Sequence, residues 1–500
     1  MSTIPLPERQ RGVPPPQRGV PARVARWTWR RIERFFGGPA RTQVVVVLGG
    51  VLALSSADTA TVGASATPLR NALHISNSDI GLLVGVNCVV AAIASLPFGA
   101  LADRMKRTRL LGLSILLWGA CMVWSALVHS FTHLLIARLA LGVVTASAGP
   151  VIASMLGDWF PSGERGRIYS YVLAGELLGG GVGFAVTGDV SALSWRLSFL
   201  LLAVPAFLLG RMVLRLPEPM RGGAGMIPDG ATEIPRRALV IDEPLDVVEE
   251  TVDNVAHDVS RHKGIEPEHD QVLDMDPRLM GFWQATRYIM SIRTNVVMII
   301  ASACGYFYLT GVQTFGVEMA QNQYGVNTAL ANLLILVVGI GAVAGVLIGG
   351  RLGDGMLKRK FLNSRVFVAA VGSAIAAGAF IPALMTHHPM RALPYLILAA
   401  FGLSAQNPPL NAARLDIMPA PLWGRAEGIR TFLRTAAQAL APMLFGVVSD
   451  VVFGGGKGAL RWTFLVMLVP LVASAFYLFK AMRTYPRDVA TAAAHAEYRR

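Results

Sequence analysis

The sequence predicts an all-α membrane protein with twelve transmembrane helices arranged as two six-helix halves. Three observations carry this expectation. Of 500 residues, 53% are hydrophobic and 15% are charged, with a mean hydropathy of +0.50, whereas a soluble domain carries about 25% charged residues. Apolar stretches of about 20 residues, the length that crosses a bilayer, recur in two sets of six. Short motifs of the first set return in the same order in the second.

The first set runs 43–68, 79–101, 109–128, 132–157, 167–188 and 194–215. The second runs 295–320, 327–350, 361–385, 392–413, 427–452 and 462–481. These define a six-helix half over 43–215 and another over 295–482. Residues 1–42 form a basic, Pro- and Arg-rich tail, expected to be no signal peptide because an apolar core before a small-residue cleavage site is lacking. Its end, ARWTWRRIERFF, reads as a basic amphipathic segment on an anionic membrane surface. Residues 483–500 form a second tail. Between the halves, 216–294 contains EPMRGGAGMIPDG and IDEPLDVVEETVDNVAHDVSRHKGIEPEHD, acidic and punctuated by Pro and Gly, which reads as a largely flexible linker. Its last part, GFWQATRYIMSIRTN, reads as an amphipathic helix in the membrane interface.

The net charge of +14 and pI near 10.2 reflect topology rather than a nucleic-acid footprint, because the basic residues cluster between apolar spans. Arg104, Lys106, Arg107 and Arg109 follow span two. Arg165 and Arg167 follow span four, Lys358, Arg359 and Lys360 span eight, and Arg425 span ten. The intervening loops VHSFTH and AQNQYGVN carry no Lys or Arg. Both termini and the linker are therefore expected in the cytoplasm, with the chain in the plasma (inner) membrane. Cys88, Cys121 and Cys304 lie far apart in apolar runs, and His257, His262 and His269 lack metal-ligand spacing. With no Walker motif either, the expectation is no metal, no cofactor and no catalytic residues.

The halves repeat. Span two ends in GALAD (Gly99 to Asp103) and span eight in GRLGD (Gly350 to Asp354), each followed by basic residues. Span five is entered through ERGRIYSYVLAGE and span eleven through GRAEGIRTFLRTA. Spans six and twelve share Phe–x5–Pro, at Phe199 to Pro205 and Phe464 to Pro470. The offsets of 251, 260 and 265 residues rise along the chain, as in two copies with loops of different length. A duplicated six-span unit, its halves related by an axis along the membrane normal, is the plan of many secondary transporters.

These residues resemble a known family. Gly99-Ala-Leu-Ala-Asp103-Arg104-Met-Lys-Arg107 is similar to the signature loop of the major facilitator superfamily, with Lys106 at its usual second glycine. The degenerate copy ending at Asp354 and the span-four run Arg138-Leu-Ala-Leu-Gly142 match that superfamily's pattern as well. Within it, Asp58, then Pro68-Leu-Arg70-Asn-Ala-Leu-His-Ile-Ser, then Gly81-Leu-Leu, and the glycine-rich span from Ser170 to Gly183, resemble the Spinster family. Departures are Thr59 for an Arg, Thr145 for an acidic residue, and Glu176 where that family is apolar. The anion:cation symporters share much of the span-one pattern. The resemblance implies the major facilitator fold, with spans one, four, seven and ten lining a central cavity.

Asp58, about fifteen residues into span one, and Glu176, about nine into span five, lie roughly 22 Å and 14 Å along their helices, both near mid-depth. A carboxylate in lipid is costly, about 3 kcal/mol on insertion scales. Burial and mutual repulsion disfavour two charged carboxylates at one depth, so each is a candidate proton-coupling group. The structural alternative is that Asp58 pairs with Arg138 or bonds Ser55, Ser56 or Thr61. Arg138 is a candidate for an anionic head group or for Asp58, or else snorkels; Arg434 in span eleven is its weaker counterpart. Tyr306, Gln313, Gln406, Asn407 and Asn411 are polar positions that face either substrate or neighbouring helices. By the resemblance, Asp103 faces the start of span eleven and Asp354 the start of span five, forming a gate with Arg104, Arg107, Lys358 and Arg359.

The function this supports is a secondary active transporter, moving a small organic, anionic or lysolipid-like amphiphile by alternating access. H⁺ is the expected coupling ion, membrane lipid the surroundings and a monomer the expected state. The alternatives are a transporter-like sensor, which needs no paired gates, and a multidrug/H⁺ antiporter, whose Gly-Pro pair in span five is absent here.

Overall fold

The computed structural model describes residues 31–75, 77–221, 227–234, 254–273, 275–326, 328–455 and 458–497. The Pro- and Arg-rich start, the first six residues of ARWTWRRIERFF and the acidic stretch 235–253 lie outside the described residues. Among those described, eleven helices are long and apolar enough to cross a membrane. Span one is Pro39–Ala64, two Asn77–Arg104, three Arg107–Leu127, five Arg165–Leu193 and six Trp195–Arg215. Spans seven, eight, nine and eleven are Arg293–Tyr324, Thr328–Lys358, Ser364–Met385 and Trp423–Val447.

Spans four, ten and twelve are each broken in two, and proline explains each break. Four is Phe131–Thr145 then Ala148–Trp159, ten Pro389–Ala405 then Asn407–Asp416, and twelve Ala459–Val466 then Val469–Ala481. A proline lacks the N–H that would continue the ladder, and its ring collides with the carbonyl four residues back. Pro150, Pro408 with Pro409, and Pro470 sit in that relation to the three breaks. The break in span ten leaves neither segment long enough alone, so span ten is not among the eleven, whereas spans four and twelve count across their breaks. Pro150 and Pro408 are 258 positions apart, so the breaks in spans four and ten are repeat-equivalent.

The repeat is also written in buried ion pairs. Arg107, opening span three, bonds Asp158 at the end of span four; Arg365, opening span nine, bonds Asp416 at the end of span ten. Both pairs join residues 51 apart, and each member has its counterpart 258 positions on. Within the halves, span one packs on five, three on six, seven on eleven, and eight and nine on ten. Glycines set the closest of these contacts. A Cβ on Gly179 or Gly183 would stand 2.3 and 2.4 Å from Ala53 and Ala57 of span one, so only glycine lets the backbones approach.

The halves meet chiefly through two helix pairs, span two with eleven and span five with eight, and the second segments of spans four and ten add to these against eleven and five. Every side of span eleven from Leu422 to Arg430 is buried, whereas residues 431–438 are half-buried and 439–440 exposed. Span five behaves alike: Tyr171 to Ala174 are buried, and Leu178, Val182 and Val186 exposed. The halves are therefore locked at the end carrying Asp103 and Asp354, here called the aspartate face, and part from each other beyond mid-depth.

The expected flexible linker is corrected over its described parts, which are ordered against the aspartate face. Ile227 N–H donates to Trp159 O (2.9 Å), and Val255 N–H to Ser162 Oγ (2.7 Å). The helix Val255–His262 buries Ala256 and Val259, and His257 Nε2 lies 2.9 Å from Asp416 O. Within the second tail, Tyr485–Glu497 is a helix whose Asp488 accepts from Thr294 N–H (3.2 Å) and whose Thr491 Oγ1 accepts from Glu268 N–H (2.9 Å). The segment Phe282–Ser291 is helical, burying Ala285, Tyr288 and Ile289 while exposing Trp283.

Glu218, just past span six, caps span three from outside. Its carboxylate accepts from Arg107 N–H and Nε (3.1 and 2.9 Å) and from Thr108 N–H and Oγ1 (2.9 and 2.8 Å). Burial alone pushes this carboxyl up, but the Thr108 N–H and the Arg107 guanidinium outweigh it and hold Glu218 below the usual carboxylate range. A depressed carboxyl contributes stability above its unfolded value and loses it as pH falls through the folded one. Melting of the detergent-solubilised protein is thus expected to drop as pH is lowered through the acid range. Glu218→Gln should melt lower at neutral pH and show a shallower acid dependence; an unchanged slope contradicts this assignment.

Candidate substrate site and inter-half gate

At the aspartate face each half caps a helix of the other. Asp103 Oδ1 accepts from Gly424 N–H (2.8 Å) and Oδ2 from Arg425 N–H (3.0 Å). Asp354 accepts from Gly166 N–H and, through Oδ2, from Arg167 N–H (2.7 Å). Both pairs of donors are the second and third residues of their helices, whose N–H groups have no partner within the helix. Gly166-Arg167 and Gly424-Arg425 are 258 positions apart, so the offset for spans five and eleven is 258 rather than the 260 read from the strings. The glycines are required by space. A Cβ on Gly424 would lie 2.5 Å from Asp103 Oδ1, and one on Gly166 would lie 2.8 Å from Asp354 Oδ1. One turn before each aspartate, a Cβ on Gly99 or Gly350 would meet the Gly424 or Gly166 carbonyl oxygen at 2.7 or 2.0 Å. Glycine opens the approach and the aspartate four residues on makes the bond. A carboxylate at a helix N-terminus contributes about 0.3–2 kcal/mol.

The basic residues assigned to the gate divide. Lys358 reaches Glu164 across the halves at 3.5 Å, and Arg425 Nε lies 3.5 Å from Asp103. Arg104 Nη2 makes a long bond to Met280 O (3.5 Å) and Arg359 is exposed. Arg107 is buried within its own half on Asp158 and Glu218, so its contacts do not cross the gate. Arg365, which sequence reasoning passed over, bonds both Asp354 and Asp416 and so anchors the gate aspartate.

Asp58 and Arg138 form a buried ion pair. Arg138 Nη1 donates to Asp58 Oδ1 at 2.9 Å, both side chains are 2% exposed, and the guanidinium sits 4.7 Å from the Phe199 ring centroid. The pair ties spans one and four within one half, which is the structural alternative for Asp58, and Arg138 does not snorkel.

Where the halves part, Glu176, Tyr306, Thr431 and Arg434 are all half-buried. Glu176 and Arg434 each lie eleven residues into their helices, about 16 Å deep, and are themselves 258 positions apart. The Arg434 guanidinium stacks 4.5 Å from the Tyr306 ring centroid, and its Nε is buried without a partner. Arg434 and Arg430 both act on the Glu176 carboxylate through space from the opposite half. Beneath them Glu427 pairs with Arg414 (2.7 Å) and Arg430, Arg414 reaches Asn411 Oδ1 (2.7 Å), and Arg430 reaches Ser302 Oγ (3.1 Å). Glu427 and Arg430 stand three apart at the mouth of an apolar span, a spacing that in the sequence marks only the repeat.

The polar positions of spans seven and ten separate. Gln406 is buried, accepting from Ser373 Oγ (2.5 Å) and donating to Leu403 O (3.1 Å), so it joins helices rather than facing the cavity. Asn407 Nδ2 reaches Leu403 O at 3.5 Å, and Gln313 is exposed.

Removing one member of a buried ion pair strands the other charge, at about 3–5 kcal/mol, whereas replacing both by apolar groups is often neutral. Asp58→Asn is expected to lower the melting temperature sharply, and Asp58→Leu with Arg138→Met to recover most of the loss. A melting temperature unaffected by Asp58→Asn would show that the pair does not hold spans one and four together.

A model of the Major Facilitator Superfamily matches residues 48–442 and again 298–498. A putative tartrate transporter of Agrobacterium vitis is 23% identical over 451 residues, 88% of this chain and 89% of that protein. A probable L-galactonate transporter of Escherichia coli (strain K12) is 28% identical over 199 residues, 40% of this chain and 42% of that protein. Among solved structures, a bacterial homologue of the human lysosomal transporter Spinster, inward-facing and unoccupied, aligns over 90% of this chain and 98% of its own, with TM-score 0.56 and 20% identity. The proton:xylose symporter XylE aligns over 88% and 95%, with TM-score 0.61 and 17% identity. Two repeated halves with paired aspartate gates, matched by the family over most of the length, make this chain a member of the major facilitator superfamily: a multi-pass membrane transporter, not an enzyme.

Proposed function

We propose that this transporter carries a small organic anion together with a proton, binding the anion at Arg434 and the proton at Glu176. The observation that carries this reading is the facing pair itself. A cation with a free buried Nε–H and a carboxylate stand at equal depth, one on each half, near enough to act on each other through space. An incoming carboxylate satisfies Arg434 and is repelled by an ionised Glu176, so anion and proton favour each other's binding. Each charge belongs to a different rocking half, so its surroundings change as the halves move. The names of the relatives, tartrate and galactonate transporters, support an anionic substrate for this chain. The Lys/Arg bias supports a cytoplasmic aspartate face, and with it a conformation shut toward the cytoplasm.

Proteoliposomes given tartrate, galactonate, a lysolipid and a cationic drug under an imposed pH gradient test the reading. Accumulation of an organic acid is expected, and none of the drug. Glu176→Gln should abolish accumulation driven by the pH gradient while leaving exchange of substrate for substrate. Arg434→Gln should weaken apparent affinity about ten- to a hundred-fold, the loss of a charge-assisted hydrogen bond. Gradient-driven accumulation by Glu176→Gln would overturn the proton assignment, and an unchanged affinity in Arg434→Gln the anion assignment.

A further inference from the structure

At the aspartate face, on the seam between spans five and eight, a cavity of about 380 Å³ opens beside the gate. Phe35, Glu164, Arg167 and Tyr171 line it from the first half, and Arg351 and Lys358 from the second. Its charges are unbalanced. Glu164 is shared by Arg41 (2.7 Å), Arg167 (3.0 Å) and Lys358 (3.5 Å), and Asp354 is taken by Arg365 and the span-five N–H groups. Among the described residues Arg351 has no carboxylate partner. Its guanidinium lies 5.0 Å from the Phe35 ring and 5.7 Å from that of Tyr171, and Nη2 donates to the Tyr171 hydroxyl at 3.2 Å. Held there, it presents its remaining donors to the cavity.

The surroundings are apolar and exposed. Ile348 and Leu352, beside Arg351 on span eight, are 48% and 50% exposed, and Phe35 is 51% exposed. Cations next to an outward apolar stripe at the end of two spanning helices match a ligand with a phosphate head and acyl chains. We propose that this seam is a binding site for the phosphate of an anionic phospholipid, held between Arg351 of one half and Arg167 of the other. Because the site has a wall from each half, the lipid binds the closed gate more tightly than the open one and favours closure. A free phosphate shares the head-group chemistry but gains nothing from Ile348 and Leu352.

The test uses the full-length protein in bilayer discs with spin-labelled phosphatidylglycerol, and reads its association relative to spin-labelled phosphatidylcholine. Preferential association is expected for the unaltered chain. Arg351→Gln should weaken it roughly five-fold, as should Arg167→Gln, the value of one cation near an anionic head group. Arg391→Gln, an exposed cation on span ten, should leave it unchanged. Equal association in Arg351→Gln and the unaltered chain overturns the proposal. Displacement of the labelled lipid by millimolar inorganic phosphate as readily as by unlabelled phosphatidylglycerol also overturns it, by showing that the site takes the free anion.

Discussion

The structure depends on one interaction made twice: a carboxylate of one half on the bare N–H groups that open a helix of the other. A helix start carries unpaired donors and about half a positive charge, and in a membrane protein it must find a partner. Here Asp103 and Asp354 supply it in trans, and the glycines at 99, 350, 166 and 424 supply the room. Because the partner belongs to the other half, satisfying the helix and closing the face are a single event. Each dock is weak enough to break during a transport cycle, and two acting together make the closed face a defined state.

Everything that differs between the two ends of the molecule follows from that lock. Spans five and eleven are buried on all sides near their starts and part further along, so Glu176 and Arg434 stand where the halves separate. Below them the Arg414–Glu427–Arg430 group is sealed in the locked region, its charges neutralised among themselves except for one excess cation. The ordered linker and the C-terminal helix pack on the locked face as well. Met280 O, in the linker, accepts from Arg104 of the first half (3.5 Å) and Arg425 of the second (3.1 Å). A closed gate thus organises segments whose composition alone reads as unstructured.

The spans and their pairing into halves were legible because apolar length and motif order are properties of the chain itself. Glycine four residues before an aspartate at a span end is likewise a local pattern that marks the repeat, and the gate role of the two aspartates followed from its resemblance to the family's signature loop. What was not legible depends on which faces of separate helices meet. For Asp58 the sequence leaves proton coupling and pairing with Arg138 both open, because Arg138, its partner at 2.9 Å, lies eighty residues away on another span. Gln406 is open in the sequence between substrate and helix contacts, and the structure bonds its amide to Ser373 of span nine. Arg107 read as part of a basic loop, and only its equivalence to Arg365 at a constant offset of 258 marks it as a buried structural cation. Aligning the halves on the Gly-Arg pairs at 166 and 424 would have brought out that equivalence, and with it Glu176 opposite Arg434.

The most direct measurement of the lock is the distance between spin labels at Met105 and Arg359, exposed positions on opposite halves at the aspartate face, with the three native cysteines replaced. In the substrate-free protein a dominant short-distance population is expected. Asp103→Asn and Asp354→Asn should each move the closed-to-open ratio by roughly two- to thirty-fold toward a longer distance, and the double variant further. An unchanged distribution in the double variant, with normal folding, would contradict the claim that capping across the halves holds this face shut.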